Sequence, residues 1–435
     1  MSFSLLLRRR CSFRQWAALS LVLALNAAPV WAAPTSIPFD DAVRLAVERA
    51  PVLQARRSQT EAAREDAARA AALPDPRLTL GIANLPVTGS DAFDPRADDM
   101  TMKQIGLMQE FPAQAKRRAR QAAADRTVEQ AQALTQAEQV AVRQAAAQAW
   151  IALWAAQREV EALQTQREQS VLTVRIAKAR LAGGAGSAVD AMATQSAALE
   201  LGNRIDMATA AVEAARGSLA RWLDVAPDGL AAAGTPPDLT TLPVSEATLL
   251  ASIDRQGPLL PWQSRESVAE AAVDEAVAEK RPDWSLGATY GQRERTPQGM
   301  PRNDMLMVEF SIGLPLFTRN RQDRGIAARR AELEAVSAGH EDARRMQLEA
   351  VHRALAEWNG AKRQVARKES EALPLAHDRS QTALAAYRGG GPLQPWLDAR
   401  RDELELHVEH ARHLAELGRA WAALAYLLPN EETQP

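Results

Sequence analysis

Thiol is almost absent from this chain of 435 residues: its one cysteine is Cys11. No pair exists to form a disulfide, and no thiolate set can hold a metal or an iron–sulfur cluster. Aromatic residues make up only 5%, which fits a chain of long helices. Formal charge is −2 at pH 7, so no global field draws nucleic acid to the chain. No phosphate-binding loop, nucleophile elbow or HExxH-type metal helix is present, which leaves catalysis without a motif. After residue 28 no apolar run approaches the ~20 residues of a spanning helix. A mature chain that enters a membrane must therefore do so as β-strands.

What the sequence does have begins at its N-terminus. Arg8-Arg9-Arg10 and Arg14 precede an apolar stretch from Trp16 to Ala28, and Val30-Trp31-Ala32 places small residues where a signal peptidase reads. Residues 1–32 are expected to be a signal peptide. Cys11 precedes the apolar stretch and not the cleavage point, so a lipid-anchored N-terminus is not expected.

The rest is dominated by alanine, arginine, glutamate, glutamine and leucine, the composition of long helices and coiled coils. It also looks duplicated, with an offset of about 204 residues. Phe111-Pro112 with Lys116-Arg117-Arg118 answers Leu314-Pro315 with Arg319, Arg321 and Arg324. Trp154 answers Trp358. Gly183-Gly184-Ala185-Gly186 answers Gly389-Gly390-Gly391. Leu199-Glu200-Leu201 answers Leu404-Glu405-Leu406.

Within each copy the hydrophobic period switches. Phe39 to Leu73 reads as a helix that Pro51 kinks and Pro74-Asp75-Pro76 stops. Alternating runs then predict strands at 77–85 and 102–111, and in the second copy at 283–292 and 304–314. Four strands of about ten residues, apolar on one side and small or polar on the other, suit a transmembrane barrel or two soluble hairpins. Each pair leads into a helical hairpin, 113–223 and 320–428. The first helix, Ala113 to Ala182, has neither proline nor glycine and would run ~100 Å. Its expected seam is Leu134, Ala137, Ala141, Ala145, Ala149, Ala152, Ala156, Val160 and Leu163, small enough for close helix packing. The resulting division is a first repeat at 33–230, a linker or belt at 231–244, and a second repeat at 245–435.

Four strands cannot close a barrel. If they span lipid, several chains must pool them, and three chains would supply twelve. At this point the chain resembles the TolC-like outer-membrane efflux proteins over essentially its whole mature length. The resemblance lies in the duplicated helix, strand-pair and hairpin plan, in Phe39-Asp40-Asp41-Ala42-Val43, in Pro74-Asp75-Pro76, and in glycine-rich tips followed by Leu397-Asp398-Ala399. It implies a mainly α fold with a small β part. A homotrimer would form a 12-stranded outer-membrane barrel, continued by a periplasmic coiled-coil barrel. It further implies passive export without catalysis or cofactor. The implied partners are a periplasmic adaptor, an inner-membrane pump and outer-membrane lipid. Asn84-Leu85-Pro86, Met100-Thr101-Met102 and Gln109-Glu110-Phe111-Pro112 resemble the branch that serves heavy-metal pumps.

The candidate site follows from that resemblance. Arg180, Gly183, Gly184, Gly186 and Ser187 at one tip, and Arg388, Gly389, Gly390 and Gly391 at the other, would dock the adaptor or form plain turns. Asp398, with Asp190 as its weaker counterpart, would ring the aperture with carboxylates, or would simply be a helix N-terminal charge. Pro395 stands where some members place a second aspartate, so fewer charges would ring it here. Glu403, His407 and His410 share a helical spacing that suits a metal, although a polar interhelical face explains them equally. Met100, Met102, Met305 and Met307 are expected near the outer strand ends, packing, facing lipid or offering thioethers to Cu(I).

Overall fold

The computed structural model describes residues 36–429; the expected signal peptide and Cys11 lie outside them. The chain opens with a short strand β1 (Ser36–Ile37), then helices α1 (Phe39–Arg49) and α2 (Pro51–Ala70). These are two helices and not one kinked rod. Pro51 disfavours helical backbone at Ala50, which turns away at ψ 119°. Strands β2 (Arg77–Ala83) and β3 (Met102–Phe111) lead into α3 (Gln114–Ala182), and α4 (Ala188–Leu223) returns. A strand β4 (Ala231–Ala232) and helices α5 (Glu246–Ala251) and α6 (Leu260–Ala278) follow. The second half repeats the plan with β5 (Trp284–Arg293), β6 (Met305–Ile312), α7 (Gln322–Arg367), α8 (Leu373–Arg388) and α9 (Gln394–Ala425).

Several element ends differ from the sequence expectation, each for a local reason. β2 stops at Ala83 because Asn84 adopts φ 55°, and its backbone carbonyl accepts Thr101 Oγ1 at 2.7 Å. A 3₁₀ turn at Thr318–Asn320 delays α7 to Gln322. Pro374 lacks an N–H, yet α7 and α8 run on as one rod through a π turn at Lys368–Ala372. A π turn is one way to pass a missing donor without breaking the helix.

The four long strands form one antiparallel sheet in the order β2-β3-β5-β6. Register sorts their side chains cleanly. Leu80, Ile105, Tyr290 and Leu306 lie in one cross-strand row, and Leu78, Leu107, Ala288 and Val308 in the next. Phe111, Trp284 and Ile312 close this face at the helical end, with the Phe111 and Trp284 rings stacked at 4.1 Å. The face is uncovered: Leu80 is 73% and Phe310 62% exposed. The opposite face carries Thr79, Gln104, Thr289, Glu309, Ser285 and several glycines. Met102, Met305 and Met307 belong to this polar face, not to the apolar one, and Met108 joins them. The loops beyond the sheet are tied together by Arg302, which reaches Asp99 and the Asp98 carbonyl.

Lys116 locks the sheet to the helices. It is 6% exposed, and its Nζ lies 2.7 Å from Asp283 and 3.2 Å from Glu279. The other Asp283 oxygen accepts Ala113 N at 2.8 Å, and its backbone carbonyl accepts Gly313 N at 2.8 Å. One aspartate therefore fixes the start of α3, the start of β5 and the end of β6.

The core lies around the middle of the rods, not along the expected alanine seam. Ala149 and Leu163 of that seam are buried, but Ala141 is exposed and the rest only half-buried. Instead α3 is buried almost all round from Ala146 to Ala155, including Trp150, Ile151 and Leu153. The reason is a wrapping that the 3.6 period does not reveal. The segment after α4 pairs β4 in parallel with β1 and crosses the rods as a strap. Indole donors hold it and its partner strand: Trp358 Nε1 bonds Leu239 O at 2.9 Å and Trp421 Nε1 bonds Thr241 O at 2.7 Å in the strap, while Trp150 Nε1 bonds Ile37 O of β1 at 2.8 Å. Gly418 lets α9 come close under the strap, since a Cβ there would collide with Ile151.

Replacing Asp283 with alanine leaves Lys116 buried beside a single carboxylate and removes the acceptor for Ala113 N. We expect a loss of about 2 kcal/mol in thermal unfolding experiments, because a buried charge that loses a partner keeps its desolvation cost.

Candidate functional site

The two hairpin tips close by the same three backbone hydrogen bonds. In the first, Gly183 N, Gly184 N and Ala185 N donate to Ala179, Leu181 and Arg180 carbonyls at 3.0, 3.1 and 2.9 Å. In the second, Gly389 N, Gly390 N and Gly391 N donate to Ala385, Tyr387 and Ala386 carbonyls, each at 3.0 Å. Gly184 and Gly390 occupy the matching left-handed position, at φ 74° and 96°, which a side chain would strain. Ser187 then caps α4 by accepting Asp190 N at 3.0 Å. Arg180 turns back onto its own turn, toward Ala185 O. At the second tip Arg388 is exposed, and Tyr387 stacks on Trp396, so an aromatic pair closes this hairpin.

The start of α9 packs against the first tip. Leu393, Gln394 and Leu397 face Arg180, Ser187 and Asp190 across a narrow crevice. Above it, a cavity of about 380 Å³ separates the two hairpins, and Asp398 lines it together with Gln394, Arg401 and Thr194. Asp398 is half-exposed. It accepts Gln394 Nε2 at 3.1 Å and has Arg401 at 3.7 Å. Asp398 and Asp190 thus line adjoining spaces that share Thr173, Thr194, Gln394 and Leu397.

An ion pair that sequence reading did not single out bridges the hairpins beside this cavity. Both Arg204 guanidinium nitrogens donate to Glu405, at 2.8 and 2.9 Å. The Arg204 hydrogen bonds hold the Glu405 carboxyl below its ordinary range. Higher up, Arg412 and Glu159 pair at 2.7 Å. Glu405 lies in the repeated Leu-Glu-Leu, which was the available signal. Its partner could not be named, because hairpin-to-hairpin contact has no local period.

The metal candidates do not converge. Glu403 is 2% exposed and turned toward α8, where His377 Nδ1 donates to one oxygen at 2.9 Å while Arg400 donates to the other at 2.8 Å. Both oxygens are engaged before any cation arrives. His410 approaches Glu369 instead, at 3.4 Å, and His407 is exposed. Among the described residues no group of three or more His, Cys, Asp or Glu could hold a metal ion. Burial would raise the Glu403 pKa, but His377, Arg400 and Ser380 overcome it and leave the carboxyl below its usual value. Burial also pushes His410 down.

No family model and no curated protein matches the chain in sequence. Solved structures match it in fold. It is similar to a membrane protein from Pseudomonas aeruginosa, with a TM-score of 0.75 and 17% identity over 91% of each chain. It is similar to the outer-membrane channel OprN, at 0.72 and 19% over 90% of each chain. A third likeness is to CusC, at 0.73 and 14% over 94% of this chain and 96% of that one. CusC is described with conformational changes that accompany folding and transmembrane channel formation. The two named structures are channels and not enzymes.

Glu403 supplies a test of the α8–α9 clamp. A depressed folded pKa gives stability that is fully present above the ordinary value of 4.5 and is lost as pH falls through the folded value. Stability of Glu403→Gln, followed by thermal unfolding from pH 7 to 3, is expected to lie below wild type at neutral pH and to converge on it below pH 4.5.

Proposed function

We propose that the chain is the exit duct of a tripartite efflux system in the outer membrane. The observation that carries this reading is the amphipathic four-stranded sheet. Its apolar face is bare and its two edges are open among the described residues. Its strands run straight into helical rods of ~100 Å. Three copies would pool twelve strands into a barrel with the apolar face toward lipid and the polar face toward the lumen. The rods would form a tube across the periplasm. The likeness to OprN and CusC supports the fold of such a duct.

In this reading the tips bearing Arg180, Gly183, Gly184, Gly186, Ser187, Arg388, Gly389, Gly390 and Gly391 dock a periplasmic adaptor, and an inner-membrane pump supplies the energy. Asp398, with Asp190 close to the same crevice, supplies the carboxylates of the aperture. The duct conducts passively, and the exported substrates are heavy-metal cations. Two features support the cation reading. The loop wording around residues 84–86 and 100–112 resembles the metal-efflux branch, and four methionines on the polar face offer soft sulfur to Cu(I) or Ag(I). Export of drugs or of a secreted protein is the competing substrate reading. A periplasmic adaptor is a weaker alternative, since an adaptor would need one hairpin, not two.

The test is growth of a deletion strain across copper, silver, zinc, cobalt and cadmium and a panel of drugs, with and without the gene. Restored tolerance to one or a few metals is expected. Restored drug tolerance alone would retain the duct and reject the metal reading, and no change in either would reject the duct. In planar bilayers, Asp398→Ala is expected to reduce cation-over-anion selectivity severalfold. Unchanged selectivity would remove Asp398 from the aperture.

A further inference from the structure

One joint of this molecule is written twice in the sequence and closed only once within the chain. β3 ends beside the start of β5, with Phe111 opposite Trp284. There Lys116 holds Asp283 at 2.7 Å, and Asp283 also accepts Ala113 N at 2.8 Å. Lys116 stands four residues after Pro112, and Asp283 follows Pro282 and stands three residues before Leu286. The duplication supplies both parts again. Arg319 stands four residues after Pro315, past the end of β6, and Asp75 follows Pro74 and stands three residues before Leu78, ahead of β2.

These second parts do not meet within one chain. β2 and β6 are the two edges of the sheet, with β3 and β5 between them, so they lie three strand spacings, or ~14 Å, apart. Asp75 and Arg319 are both exposed, and neither forms an ion pair among the described residues. The charges beside them are already taken: Arg77 lies 3.5 Å from Glu110, and Lys280 holds Asp323. Apolar groups mark the same two places. Leu314 and Leu316 are exposed next to Arg319, and Phe317 is 84% exposed, while Leu73 is exposed next to Asp75.

We infer that Arg319 of one copy grips Asp75 of the next, so that β6 pairs with the neighbour's β2 as β3 pairs with β5 inside the chain. The strand directions agree. β3 and β6 run toward the rods, and β2 and β5 run away from them, so the edge pair is antiparallel like the inner one. Leu314 then meets the neighbour's Pro76 as Phe111 meets Trp284. Ala71 stands where Glu279 gives Lys116 its second acid, so the edge joint has one carboxylate. A guanidinium suits it, because its fork can engage both oxygens of a single carboxylate. Each copy offers an arginine at one edge and an aspartate at the other. Such a head-to-tail contact leaves no open pair only when the ring closes. The joint rests on the duct reading, which pools strands without saying which edges meet or what holds them.

Cys11→Ser removes the chain's one thiol, so introduced cysteines report without background. Membranes carrying the full chain with Asp75→Cys and Arg319→Cys are treated with bismaleimidoethane. Covalent dimers and trimers are expected from the double variant and none from either single variant. The two single variants, differently tagged and co-expressed, are expected to give dimers that join one chain of each kind. Charge reversal is the second readout. Asp75→Arg and Arg319→Asp are each expected to lower the temperature at which the assembly dissociates, and the doubly reversed chain to restore it. Cross-linking by Arg319→Cys alone would mean that like edges meet, and would overturn the joint. Cross-linking without restoration in the doubly reversed chain would overturn the ion pair. Three chains in native mass spectrometry that neither cross-link nor respond to reversal would overturn the joint and leave the duct reading standing. A chain that stays monomeric would overturn both.

Discussion

The edge strands β2 and β6 carry rows of backbone N–H and C=O groups that nothing within the described chain satisfies. Water can satisfy them on a soluble protein, but the sheet has a second property that makes water the wrong medium. One face, from Leu80 to Phe310, is mostly apolar and bare, and no helix or loop among the described residues covers it. In hydrocarbon each unpaired backbone group costs several kcal/mol, so only closed sheets are tolerated there. In the proposed duct, lipid would cover this face and strands of other copies would pair with the edges, so both would be met at once when copies of the chain join edge to edge.

That constraint reaches the rest of the molecule through a few rigid joints. Asp283 and Lys116 fix the sheet to the start of α3, so the direction of the rods follows the tilt of the strands. The rods bring Trp150, Trp154, Trp358 and Trp421 into one core at mid-length. They are held there by a strap whose carbonyls accept two indole N–H groups, from Trp358 and Trp421, while β1, which pairs with the strap, accepts a third from Trp150. Toward the tips, ion pairs flank a smaller apolar cluster of Leu163, Leu201, Ile205, Ala208 and Val408. Arg204 with Glu405, and Glu403 with His377 and Arg400, join helices that are only half-buried. Arg204 and Glu405 are partly exposed and contribute modestly, whereas Glu403 is buried, so its pairing matters more to the α8–α9 contact.

Much of the architecture could be read in the residues because it is periodic. Alternation along Trp284 to Tyr290 and along Leu306 to Leu314 announces strands, and the glycines at 183–186 and 389–391 fall where the chain reverses. What could not be read depends on contacts between elements. Trp150 is recognisable as apolar, but its acceptor lies 113 residues away. The β1 strand that supplies it, and the strap paired with β1, change α3 from one buried seam to burial on almost all sides. The helical spacing of Glu403, His407 and His410 suggests a shared site, yet Glu403 is claimed from across the groove by His377 on α8. Methionines at 102, 305 and 307 belong to the polar face because strand register decides the matter, and residue type points the other way.

Closure of the sheet by other copies of the chain is the claim on which the account turns. Native mass spectrometry of the full-length protein, extracted from membranes in mild detergent, tests it most directly. The account predicts a single dominant species of three chains that resists dissociation until the sheet melts. A stable monomer, or an assembly whose pooled strands cannot close a barrel, would contradict it.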